Sequence, residues 1–178
     1  MSNNNESINT FHDLLDYEAG KFVSEEIQLK KSLQVWVYRA SSLKLKGILQ
    51  RYLDYVDQHV QKLESFFEEE KFTSVSATNR VMRAFIEEAD EQLSRCADAA
   101  IKDACLLACV QAINHFKIST YGTAAAFAKA LEMEKHAAVF HEAEVNEKQI
   151  DDRLSQLAEY EINPAAKTPI ALGEQSAN

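Results

Sequence analysis

The chain has 178 residues, enough for one domain with a substantial core, and a formal net charge of −9. That charge excludes nucleic acid and an anionic membrane surface as main partners, because both need a basic face. With only four Gly and two Pro, and both prolines (Pro164 and Pro169) near the C-terminus, nothing breaks a helix between residues 10 and 162. Strand-like alternation is absent and strong helix formers dominate, so the fold class is all-α.

In chain order, residues 1–8 read as a polar, disordered arm, without the apolar segment of a signal peptide. A first long helix is predicted from near Asn9 to near Ala40. Its apolar positions Phe22, Leu29, Leu33, Trp36 and Val37 recur at helical spacing, and Glu26 falls inside that stripe. Ser41-Ser42 supplies a turn and an N-cap for a second helix, Leu43 to Glu69, with stripe residues Leu45, Ile48, Leu49, Tyr52, Val56, Leu63 and Phe67. His59 lies on that stripe between Val56 and Leu63.

Residues 70–77 form a connector rich in Ser and Thr, after which Thr78 or Asn79 caps a shorter helix from Arg80 to about Cys96. The third long helix, about Ala99 to Leu131, is apolar nearly all round and is expected to be buried on several sides. The fourth runs from Glu134 to about Tyr160, with Glu147 among Phe140, Ala143, Ile150, Leu154 and Leu157. Glu144 and Asp151 lie beside Glu147 on the same face. Residues 163–178 read as a flexible tail.

A carboxylate on a core-facing stripe must be neutralised, paired or bound to a metal, since an unpaired buried charge is very costly. Inward carboxylates from separate helices are how four-helix bundles build dinuclear metal sites, and four long helices with a short one in the second connection fit a bundle with a crossover. The three cysteines, Cys96, Cys105 and Cys109, are an odd number; Cys105 and Cys109 share a helix face and read as small packing residues. No apolar run reaches the roughly 20 residues that span a bilayer. The expectation is a soluble, cytoplasmic protein.

Three segments carry a family resemblance. Glu26-Ile27-Gln28-Leu29-Lys30-Lys31-Ser32-Leu33 resembles the E-x-Q-L-x-K-x-L segment of the YciF-like family of bacterial stress-associated proteins. Gln111-Ala112-Ile113-Asn114-His115-Phe116-Lys117-Ile118, followed by Tyr121-Gly122-Thr123-Ala124, resembles their Q-x-x-E-H-Y-E-I…Y-G-T-A segment. Glu147-Lys148 with Asp151 and Leu154 resembles the E-E-K-x-x-D-x-x-L of the last helix. The resemblance covers residues 10–160 and implies a ferritin-like bundle, a dimer, and a carboxylate-rich metal site.

The chain departs from the family pattern at the ligand positions. Asn114 and Lys117 stand where the second segment has glutamates, and Asn146 replaces the first of the paired glutamates in the last helix. In the second helix the expected H-L-E-E-T-x-x-Q reads Tyr52-Leu53-Asp54-Tyr55-Val56-Asp57-Gln58-His59, with Tyr55 at the glutamate and His59 at the glutamine. The candidate metal ligands are therefore Glu26, His59, His115, Glu144, Glu147 and Asp151. Imidazole with carboxylate suits Fe, Mn or Zn; Fe or Mn is expected ahead of Zn, with a site that holds no metal as the alternative. Lys117 is expected to form a salt bridge with Glu26 or Glu147 in place of a metal's charge.

No Gly-rich loop, CxxC or nucleophile–base pair is present. The functional expectation is a stress-associated ferritin-like protein with a degenerate or divergent metal site and without demonstrable catalysis. Its rivals are a di-metal oxidase or peroxide-consuming enzyme, and a metal-free bundle acting through protein partners. Leu14, Leu15, Ile27, Val35 and Leu53 read as apolar residues outside the main stripes, from which a two-fold homodimer is expected.

Overall fold

A computed structural model describes residues 7–69 and 78–167. The elements are α1 (Phe11–Ala19), α2 (Phe22–Arg39), α3 (Leu43–Glu69), α4 (Arg80–Arg95), α5 (Ala99–Ala130), α6 (Glu134–Leu157), a turn of π-helix (Ala158–Ile162) and α7 (Asn163–Lys167). The described chain is an all-α bundle. No described helix is long and apolar enough to cross a membrane.

The predicted first helix is two. Gly20 donates its N–H to Asp16, and Lys21 reaches back only three residues to Glu18, a tightening that separates α1 from α2. Glycine at this point weakens the continuous helix. The α2–α3 turn is held from outside: the buried Asp103 carboxylate accepts from the backbone N–H groups of Ser41 and Ser42, at 2.8 and 2.7 Å. Ser42 Oγ in turn accepts from Leu45 N–H, the expected cap.

Asn79 caps α4, accepting from Met82 N–H. The last long helix ends earlier than expected, at Leu157, because the chain then widens into the π-helical turn. There Asn163 N–H bonds Ala158 O, which leads into Pro164, a residue with no N–H to continue an α-helical ladder. Residues 163–167, expected within the tail, form the short α7; the rest of that tail, residues 1–6 of the arm and the 70–77 connector lie outside the described residues.

The core has two halves. One gathers Leu29, Leu33, Trp36, Leu49, Tyr52, Val56, Val110, Ile113, Ile150 and Leu154. The other gathers Leu15, Phe22, Leu63, Phe66, Tyr121, Ala124, Phe140 and Ala143. On α2 and α6 the chain passes from the second half to the first, and on α3 and α5 from the first to the second. Thus α3 and α5 run the same way, which requires the long crossover that contains α4. Leu15 and Leu53, expected outside the main stripes, belong to this core, while Ile27 and Val35 are exposed. Leu15 is buried because α1 lies against α5, and Leu53 because it packs in the first half.

Candidate functional site

At the waist between the two apolar halves, each long helix turns a polar residue inward. Glu26 lies between Phe22 and Leu29 of α2, and His59 between Val56 and Leu63 of α3. Lys117 lies between Ile113 and Tyr121 of α5, and Glu147 between Ala143 and Ile150 of α6. All four are buried. Helical periodicity forces this placement, because each residue occupies a stripe position that its neighbours commit to the core.

Lys117 is the centre. Its ammonium lies 2.8 Å from Glu26 Oε2 and 2.6 Å from Glu147 Oε1, flanked by the Tyr52 and Tyr121 rings at 5.1 and 5.9 Å. Burial alone would lower the affinity of this amine for its proton. The carboxylates of Glu147, Glu26 and Glu25 more than offset that and raise it above the ordinary lysine value, so the amine stays charged.

The remaining carboxylate oxygens are also occupied. Glu26 Oε1 accepts from the Tyr121 hydroxyl and lies 3.2 Å from His59 Nδ1. Glu147 Oε2 accepts from the Tyr52 hydroxyl at 2.6 Å and from Asn114 Nδ2 at 2.7 Å. Asn146 Nδ2 lies 3.3 Å from His59 Nε2. With the Asn146 amide oriented to donate to Nε2, the Nδ1–H of His59 faces Glu26. Burial pushes the Glu26 carboxyl up, but Lys117 and His59 outweigh it and hold it at about 2. Burial and the neighbouring carboxylates push both tyrosines well above the usual phenol value, so they remain donors.

Glu25 was not anticipated as part of this region. It is fully buried, with Oε2 accepting from Asn79 Nδ2 at 2.7 Å. Burial, and then the adjacent Glu26 charge, raise its carboxyl well above the ordinary value, which Lys117 only partly offsets. The signal was present: Glu25 is three residues beyond Phe22 and four before Leu29, which makes it a stripe neighbour like Glu26. Tyr121 belongs to the distinctive Tyr121-Gly122-Thr123-Ala124 segment, yet nothing in that spacing shows that its hydroxyl seeks a carboxylate on another helix.

Of the six candidate ligands, the structure brings together Glu26, His59 and Glu147, whose ligand atoms lie within 4.8 Å of one another. It does not bring in the other three. His115, one residue round α5 from Asn114, points outward and lies 2.8 Å from Asp151. Asp151 also accepts from Gln111 at 3.3 Å. Glu144 is drawn to the bundle's edge by Lys148 at 2.5 Å and His141 at 3.1 Å. With Glu147 aimed at the axis, residues three before and four after it flank the core rather than enter it.

The residues do not fit a dinuclear centre. Such a site needs four carboxylates with free lone pairs and two imidazoles, whereas here an ammonium stands between the two inward carboxylates.

Residues 10–167 match the family described as Domain of unknown function (DUF892). The chain belongs to this family. It is 27% identical to Protein YciF of Escherichia coli (strain K12) over 162 residues, covering 90% of this chain and 98% of that protein. The crystal structure of that E. coli stress protein superposes with a TM-score of 0.81, covering 90% of this chain and 100% of its own. YcfI of Rhodopseudomonas palustris, 25% identical, also gives a TM-score of 0.81, over 85% of this chain and 96% of that one. The chain is thus a YciF-like family member, as the three segments implied.

Proposed function

We propose that this chain is a cytoplasmic, stress-associated protein with a ferritin-like bundle, in which Lys117 supplies the positive charge that a metal would bring. It acts through protein contacts rather than catalysis. One observation carries this reading: positions where the resemblance expects carboxylates hold donors aimed at the would-be ligand atoms. Asn114 donates to Glu147, Asn146 to His59 Nε2, and Lys117 contacts both Glu26 and Glu147. A cation binds a carboxylate largely through charge, and here the Lys117 ammonium already answers both charges while hydrogen-bond donors occupy both oxygens of Glu26 and Oε2 of Glu147.

A second reading keeps one metal ion on Glu26, His59 and Glu147, favoured by the mutual reach of their ligand atoms. It requires Lys117 to leave or lose its proton, against the pull of the carboxylates. Elemental analysis of protein purified without chelators separates the two readings. Well under one Fe or Mn per chain is expected; one or more per chain, lost on Glu147→Gln, would establish the second reading.

A further inference from the structure

Gly47 lies inside α3, where glycine is a poorer helix former than alanine, yet a Cβ at that position would meet nothing within 4 Å. No packing contact within the described residues requires it. It forms part of one wall of a surface groove of about 490 Å³ between the start of α3 and the end of α6. Lys44 and Ile48 lie beside it on that wall, and Arg153, Leu157 and Tyr160 line the other.

The second wall is shaped by the π-helical turn. Ile150, Leu154 and Leu157 bury one stripe of α6, and an unbroken α-helix would carry Glu161 into that stripe. The turn adds a residue to the cycle, so Ile162 takes the buried place. Tyr160 and Glu161 are thereby turned out to the groove, and Tyr160 is left 71% exposed. The groove also carries positive charge in a chain of net charge −9. Lys44 pairs with Glu161, but Arg153 has no ion-pair partner among the described residues. Tyrosine and arginine around an apolar floor are the residue types that dominate binding energy at protein interfaces.

We propose that this groove docks an extended, acidic segment of a partner protein, with an apolar side chain on Ile48 and Leu157 and a carboxylate two residues away on Arg153. The spacing fits that chemistry. Arg153 and Leu157 are one turn apart on α6, a rise of about 6 Å, and residues i and i+2 of an extended chain share a face at about 7 Å. Gly47 presents no side chain to hold the segment's backbone away from α3. The free guanidinium selects an acid, and the apolar floor selects its neighbour.

The inference rests on the reading that this chain acts through protein contacts, and it names the surface. A bound metal at the waist would defeat that reading, whereas a peptide titration tests the groove alone. The isotope-labelled full chain is titrated with acetyl-Glu-Ala-Leu-Ala-Glu-amide, followed by amide chemical shifts. This probe places a carboxylate two residues from its leucine in either chain direction. Saturable shifts confined to the surroundings of Gly47, Ile48, Leu157 and Tyr160 are expected. The neutral counterpart, acetyl-Gln-Ala-Leu-Ala-Gln-amide, should bind about three- to fivefold more weakly, the scale of one exposed ion pair. In Arg153→Gln the two peptides should bind alike. Gly47→Leu, which fills the wall from an open helical position, should abolish binding of both. The proposal is overturned by no localised shift at about 10 mM peptide, ten times a weak Kd of about 1 mM. Equal binding of the two peptides by the parent, glutarate binding as tightly as the acidic peptide, or undiminished binding by a folded Gly47→Leu variant would overturn it as well.

Discussion

At the scale of single residues, Lys117 decides the character of the waist. Removing it leaves two buried carboxylates with no countercharge, the situation in which breaking a buried ion pair costs about 3–5 kcal/mol. Lys117→Met should therefore lower stability by that amount in urea denaturation. Adding Glu26→Gln and Glu147→Gln should recover most of it, and a single variant as stable as the parent would refute the role given to the ammonium. The pH dependence follows from the same groups. Glu26, held at about 2 against an ordinary 4.5, contributes stability that is present above 4.5 and lost as pH falls toward 2. Glu25 is raised instead, so its contribution is present below 4.5 and lost as pH rises through its folded value. Glu25→Gln removes that loss and can still accept from Asn79. Its stability relative to the parent should rise between pH 4.5 and neutrality, and parallel urea midpoints for the two proteins would contradict the assignment. Much of this site is legible in the sequence, because an acid inside an apolar stripe announces itself: Glu26 and Glu147 meet at the waist, and Lys117 lies between them. Glu144, Asp151 and His115 were not legible, because helical spacing fixes angles only to within about one residue and the edge of a stripe differs little from its centre.

Single elements show the same division. The bounds of α3 were readable because Ser42 caps its start and a strong stripe runs its length. The α1–α2 break was not, since one glycine costs a helix only about 1 kcal/mol and tertiary packing decides whether the helix continues. Gly47 offers a clean test of propensity: it lies within α3, and a Cβ there would meet nothing within 4 Å. Gly47→Ala should raise stability by about 0.5–1 kcal/mol without other change. A drop in thermal midpoint would show that this position is less open than it is drawn. The Asp103 clamp on the α2–α3 turn is a tertiary contact across more than 60 residues, which no local pattern reveals.

The whole molecule is two apolar halves joined across a charged waist. That arrangement makes the waist a point of specificity, because any slip of one helix along another would separate Lys117 from its partners and strand buried charges. Exposed apolar residues remain on the outside, among them Tyr38, Leu43, Val35 and Ile27. We expect a two-fold homodimer to cover part of this surface, the commonest closed assembly. Light scattering at micromolar concentration should give twice the chain mass, and a monomer would count against it. The central claim is that an internal ammonium has replaced the metal. Thermal melts with excess Fe(II) or Mn(II) test it most directly. A ligand that binds only the folded state at a hundredfold excess over its Kd adds about 2.7 kcal/mol. We predict no shift in midpoint for the parent protein; a rise of several degrees that Glu147→Gln abolishes would contradict the account.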